Sequence, residues 1–498
     1  MPTPIAVLYA AAEVGYLLCL LVVLWFYTRR VDLVDIDAAV RSCNELPCPD
    51  IIVLYPVLDE LESTMRTAML GFQRAEYPRG TRRVIAIPNA DDHSTIESLR
   101  RIADDHEFLE VLPVPPTDDP RWQPVWTAWE KNPKAYWWHV GKRHHARDLP
   151  PKKTRQLTYA FYTLAAAHPD ALLSYIDADS VVPPDYFLTA AGGMQHYDVI
   201  QNTNVAGNAL DTWATSMFAM DHMSWDGSLY QHMTAGGRHP FYVLGKGLFF
   251  RISDLVEVGG FHPWLTIEDP EIGMRLWTNG RRLGVVRSPL IEEVPNTFGH
   301  GVTQRKRWVA GFFQSLGAPL TLMGMRWRQR LRARLNFVPC LSLLICPIGL
   351  TVGVWALVAA VATGHRVVSL PLEVLSLVTI AMMLVVVGIS QRAAYRQTGL
   401  FLLHRRERIR MMLRINPVFV FVFWLWWAIP LAIGFTMFVR DTGLRWERTR
   451  KVDANHDLVR DEIPIITEAM GAPSGDQVDV GPAAAQVVGV HGQPSDDR

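Results

Sequence analysis

Four long apolar runs dominate the pattern along the chain. Windows 5–27, 335–364, 367–390 and 415–439 hold Glu13 and Glu373 as their sole charged residues. A helix rises about 1.5 Å per residue, so a bilayer core of about 30 Å takes about 20 residues, and each window supplies that many. The pattern predicts a first anchor at 1–30 and transmembrane helices within 335–440. The basic residues orient them. Arg29 and Arg30 follow the first window, five arginines fall in 326–334 and seven in a loop at 391–414. By the positive-inside rule all three sites are cytoplasmic. The expected location is the plasma membrane, multi-pass, with the domain at 31–300 in the cytoplasm.

The uncharged run 309–325 is broken by Gly311, Gly317 and Pro319. As a span it would carry the five arginines outward, so 301–334 reads as interfacial, and so does the basic amphipathic stretch 401–414. The tail, 441–498, is polar and becomes Gly-, Pro-, Asp- and Ala-rich from about 471. It reads as largely disordered.

Between the anchor and the interfacial region the period changes. Short apolar runs at 50–56, 83–88, 109–114 and 171–176 read as strands, and 63–75, 95–106 and 154–167 carry helical spacing. This βαβα order predicts an α/β domain with a mainly parallel, Rossmann-like sheet and ligands at the carboxyl ends of its strands. No GxGxxG follows the first strand and no GxxxxGK[ST] occurs in the sequence. Dinucleotide and P-loop readings fail there.

Composition removes further classes. Lys plus Arg and Asp plus Glu each total 49, so the net charge is zero and no nucleic-acid partner is expected. Three of the five cysteines (Cys19, Cys340, Cys346) lie in apolar windows and no CxxC occurs, which argues against a disulfide framework or a zinc site.

Acidic residues sit at the strand ends: Asp59-Glu60 after the first, Asp91-Asp92 after the second, Asp177-Ala-Asp179 after the fourth. Two aspartates at i and i+2 can share a divalent cation that grips a diphosphate, whose developing charge must be neutralised as a sugar bond breaks. A lone DxD is weak, because acids also favour turns and helix caps. Further motifs strengthen it: Lys153-Thr-Arg155 at a helix start, Gly245-Lys-Gly247, Glu268-Asp269, and Gln304-Arg-Lys-Arg307-Trp308.

DxD, ED and QxxRW in this order, from about 50 to 308, resemble the processive family 2 inverting glycosyltransferases, the cellulose, chitin and hyaluronan synthases. The resemblance implies a glycosyltransferase A-type domain among transmembrane and interfacial helices. It makes Asp177 and Asp179 the ligands of Mg²⁺ or Mn²⁺. Asp59, Glu60, Asp91, Asp92, Lys153 and Arg155 join them around the donor, with Asp91 or Asp92 reading its base or ribose. Asp269 becomes the general base, with Glu268 the next candidate, and Gly245, Gly247, Gln304, Arg307 and Trp308 adjoin the acceptor. Ile267 and Lys246 depart from the family pattern, in which a Thr and a small residue are usual.

The expected activity is inverting transfer from a nucleotide-diphosphate sugar, a UDP-sugar by resemblance, to extend a β-linked polysaccharide. The alternative is single addition to a lipid; a catalytically silent scaffold is a rival from another class. Four spans are few for a secretion channel, so polymer export would need an oligomer or a partner. The aromatic insertion at 118–152 reads as domain plug ahead of sugar platform. Arg445-Trp-Glu-Arg-Thr449 is a basic segment that four spans would place outside, away from the site.

Overall fold

The computed structural model describes residues 3–456 except 46, 142, 235–236, 238, 366–367, 403 and 442–450. Its centre is a seven-stranded sheet of β1 (Ile51–Tyr55), β2 (Arg82–Ala86), β3 (Leu109–Val111), β4 (Leu172–Tyr175), β5 (Val199–Ala206), β6 (Leu248–Arg251) and β7 (Leu283–Glu292). The order is β3-β2-β1-β4-β6-β5-β7. Four of its pairings are parallel, and β6 runs antiparallel between β4 and β5. The first four strands fall where the apolar runs predicted them. β5, β6 and β7 were not predicted; the interior of β5 is the polar stretch Gln201-Asn-Thr-Asn204. Those side chains are buried, and three of them donate to backbone: Gln201 to the Lys246 carbonyl at 2.8 Å, Asn202 to the Ser288 carbonyl at 2.9 Å and Thr203 to the Arg287 carbonyl at 3.0 Å. A polar strand of this kind is permitted inside because its side-chain donors are paired.

Helices cover both faces, as β1, buried along its whole length, requires. Helix Lys153–Ala165 leads into β4, and Trp122, Trp126, Trp129, Tyr136, Trp137 and Trp138 of the aromatic insertion pack beside it, all buried. Their rings stack on one another and meet Tyr159, Tyr162 and His262. The insertion is a plug.

Four helices are long and apolar enough to cross a membrane: Pro4–Tyr27, Val338–Thr363, Leu370–Phe401 and Pro417–Arg440. The last has distinctive neighbours. At its start Phe419 packs on Trp213 (4.3 Å between rings), and just before it Arg414 donates to the Leu210 and Thr212 carbonyls. Midway Trp426 meets Phe218 and Phe298, and Gly434 lies against Lys306 and Val309. At its end Phe435 and Phe438 pack on Phe313, and Asp441 pairs with Arg143. It therefore lies along the helix Phe298–Leu316, in the same direction, with both ends held by the sheet domain and its insertion.

Candidate active site

The acidic loops converge at the carboxyl ends of β1, β2 and β4. Asp177 and Asp179 leave β4. Lys153, first residue of its helix, places Nζ 2.8 Å from Asp177, 2.9 Å from the Gly245 carbonyl and 3.5 Å from Glu268. Burial alone would raise the Asp177 pKa, but the Lys153 and Lys246 charges outweigh it and hold it at about 2. Lys153 stays above its ordinary value for the matching reason: burial opposes its charge, and Asp177 and Glu268 more than restore it. Asp179 is buried and accepts from the Glu293 backbone N–H at 2.8 Å.

Asp269 opens the helix Asp269–Thr278, with Pro270 behind it to set the first turn. A helix N-terminus favours a carboxylate. Burial, and after it the Glu268 charge, win instead and raise the Asp269 pKa to about 7. Gly245 allows this approach: a Cβ there would sit 3.2 Å from the Asp269 carboxyl carbon. Gly247 holds a left-handed φ of 60°, so its amide can meet the Tyr175 carbonyl at 3.1 Å.

Gln304, Arg307 and Trp308 recur at helical spacing and face a cavity of about 490 Å³. Arg305 points the other way. It is fully buried, pairs with Asp221 at 2.6 Å and lies over the rings of Phe218, Trp308 and Trp427. That contact fixes how the helix presents the other three.

The cavity collects Glu60, Lys153, Asp177, Asp179, Gly245, Glu268, Asp269, Gln304, Arg307 and Trp308. Five candidates lie off its wall: Gly247, which turns the chain beside it, and Asp59, Asp91, Asp92 and Arg155. Asp59 is exposed with φ 45° and donates its N–H to Asp92 at 3.0 Å. Asp92 caps the helix His93–Ala103 through Thr95. Burial would raise its pKa, but the Thr95 and Asp59 hydrogen bonds hold it low. Asp91 is the exposed member of that pair, and Arg155 donates to Asn89 at 2.7 Å in the same corner.

Several neighbours went unrecognised in the sequence. Lys451 returns after the last apolar helix to place Nζ 2.5 Å from Asp179 and 3.0 Å from the Glu293 carbonyl. Glu293 accepts the N–H groups of Val452 and Ala454 at 2.9 and 2.8 Å, and Asp453 accepts from Thr67 at 2.8 Å. The signal was the basic segment before it, of which 445–449 lie outside the described residues. Lys246 lines the cavity and pairs with Glu292, so the departure from the small residue carries its own counter-charge. Ile267 packs against Gly311. Among the described residues no three His, Cys, Asp or Glu side chains converge as a metal set.

The family model for glycosyl transferase family group 2 matches residues 172–439, more than half of the chain. The chain belongs to that family. It is a glycosyltransferase with an A-type fold. It is 26% identical over 197 residues to a probable glycosyltransferase of Sulfolobus acidocaldarius, covering 39% of this chain and 40% of the relative. The chain thus spans under half the length of that curated relative. A mannosyltransferase from Pyrobaculum calidifontis, solved with GDP-Man and Mn²⁺, superposes with a TM-score of 0.50 at 15% identity. The match covers 88% of this chain and 99% of the other, a likeness of fold.

Proposed function

We propose that this glycosyltransferase moves one sugar from a nucleotide-diphosphate donor, with inversion, to a hydroxyl of a lipid-borne acceptor. The observation that carries the acceptor is the shape of the cavity. From the carboxylates it continues between the apolar helices, walled by Leu20, Val23, Val386, Val387 and Val420. On the first helix its lining reaches from Tyr27 back to Tyr16, about 16 Å of helix. A sugar polymer would leave those side chains facing hydroxyls, whereas an acyl or isoprenoid tail suits them. Polymer extension is the second reading, favoured by the order of DxD, ED and QxxRW along the chain.

The donor base and ribose are assigned to the corner of Asp59, Asp91 and Arg155, and the diphosphate to the end of β4. Two carboxylates there, with substrate phosphates to complete the shell, fit a hard divalent cation such as Mg²⁺ or Mn²⁺. Bound at Asp177 and Asp179, it would neutralise the leaving diphosphate. Lys153 and Lys451 add positive charge on either side. Asp269 takes the proton of the attacking hydroxyl; a pKa of about 7 lets it do so near neutrality. The Pyrobaculum enzyme was solved with GDP-Man, so the donor panel includes GDP- as well as UDP-sugars.

The contacts of Pro417–Arg440 also bear on topology. With both ends on the sheet domain, it is assigned to the interface, leaving three crossings in place of the expected four. That parity returns Lys451 to the cytoplasmic face with Asp179. Val386→Phe, which fills the apolar slot, is expected to raise acceptor KM about tenfold or more while nucleotide binding is kept. Unchanged acceptor KM would overturn the lipid reading.

A further inference from the structure

One buried titratable pair on the cavity wall has no part in this mechanism. Helix Trp213–Ser224 runs into a π-helical segment, Trp225–Leu229, the kind of widened turn that recurs at functional sites. The segment is clamped by a neighbouring helix. Gln397 of Leu370–Phe401 donates to the Met223 carbonyl at 2.9 Å, and its carboxamide occupies the space where a Cβ on Gly227 would go. Within this segment Asp226 is buried and accepts from Asn204 and from His222 Nδ1, each at 3.1 Å.

A carboxylate oxygen only accepts, so Nδ1 is the protonated nitrogen and Nε2 carries the lone pair. Burial keeps the His222 pKa below its ordinary value; Asp226 opposes this, while Lys246 and Arg305 reinforce it, so the ring is neutral near pH 7. Nε2 has no hydrogen-bond partner among the described residues, and His222 lines the cavity. Its ring stands edge-on to Trp308 with centroids 6.4 Å apart. An oriented lone pair beside an aromatic face is the chemistry that reads a sugar: the ring covers the C–H face and the nitrogen accepts from a hydroxyl.

We infer that His222, oriented by Asp226, forms a saccharide subsite that accepts a hydrogen bond from an acceptor hydroxyl, so that the lipid-borne acceptor itself carries a sugar. This rests on the lipid-borne acceptor proposed above and narrows it: the lone pair takes a hydroxyl hydrogen, which a sugar on that acceptor supplies. Asp226 is a positioning residue here, and His222 a binding one.

The test measures binding of octyl β-glycosides (glucoside, mannoside, galactoside) by tryptophan fluorescence to the full chain in lipid nanodiscs. Asparagine can keep the Asp226 contact and has nothing at the Nε2 position; glutamine can place its amide oxygen there. His222→Asn is expected to weaken glycoside binding about 10- to 100-fold, and His222→Gln to recover it to within about fivefold. Binding of GDP or UDP with Mn²⁺ should stay within twofold in both. Equal glycoside affinity in wild type and His222→Asn would overturn the subsite, as would failure of the wild type to bind any glycoside. Parallel loss of glycoside and nucleotide binding in both variants would also overturn it, making the pair a structural support. A separate failure is recognisable: His222-dependent glycoside binding with a product that does not extract into organic solvent keeps the subsite and rejects the lipid.

Discussion

Asp269 is where the mechanism can be pressed hardest. Its pKa of about 7 arises from burial and from Glu268, opposed by Lys153. A base works only when deprotonated, so the sign is fixed: activity is present above pH 7 and is lost as pH falls through it. One proton titrating near 7 leaves about 90% of the base at pH 8 and about 3% at pH 5.5, a fall of about 30-fold in kcat/KM. Each neighbour then moves that limb predictably. Glu268→Gln removes a like charge and should shift it to lower pH; Lys153→Met removes a cation and should shift it upward. Asp269→Asn should lower turnover about 10²- to 10⁴-fold and abolish the limb, with nucleotide binding kept. The assay is kcat/KM for the donor at saturating acceptor from pH 5.5 to 9. A profile flat through 7, or a limb surviving in Asp269→Asn, would refute the assignment and move it to Glu268.

Chelation should stop transfer and Mg²⁺ or Mn²⁺ restore it, because Asp177, Asp179 and a diphosphate repel one another without a cation; Asp179→Asn should need far more metal, read by titrating rate against metal. Lys451→Met removes the ammonium on a buried carboxylate and should raise donor KM about tenfold or more, and an unchanged KM would count against the strap at 451–456. At Gly192 a Cβ would run into the Ala39 carbonyl, a backbone atom, so Gly192→Ala should cost about 1–3 kcal/mol and lower the melting temperature by calorimetry.

The apolar runs of β1 to β4 were legible in the sequence, whereas β5, β6 and β7 were not predicted. β1, β2 and β4 are apolar runs punctuated by Pro56, Pro88 and Asp177, and both strand ends and motif spacing survive folding unchanged. Gln304, Arg307 and Trp308 stood out as a motif, and the helix that carries them turns all three to the cavity. β5 escaped because its polar stretch finds the partners of its donors far away in the chain, Gln201 at the Gly245 turn, Asn202 and Thr203 on β7 and Asn204 on Asp226, which exist only after the chain has closed. The same reason hid Lys451, whose carboxylate lies 272 residues upstream. Hydropathy likewise gives no sign of what an apolar helix packs against. Pro417–Arg440 is as apolar as the others, and its contacts along Phe298–Leu316 are what distinguish it.

Transfer of a single sugar to a lipid-borne acceptor can be followed by tracing where the label goes. Purified protein in nanodiscs made with a total lipid extract receives Mn²⁺ and, in turn, radiolabelled UDP- and GDP-sugars. Label from one donor is expected to enter the organic phase as a species heavier than its acceptor by one sugar, and chelator is expected to prevent it. Label retained in a long, water-soluble chain, with none in the organic phase, would contradict the claim and return the enzyme to the polymer builders its motifs resemble.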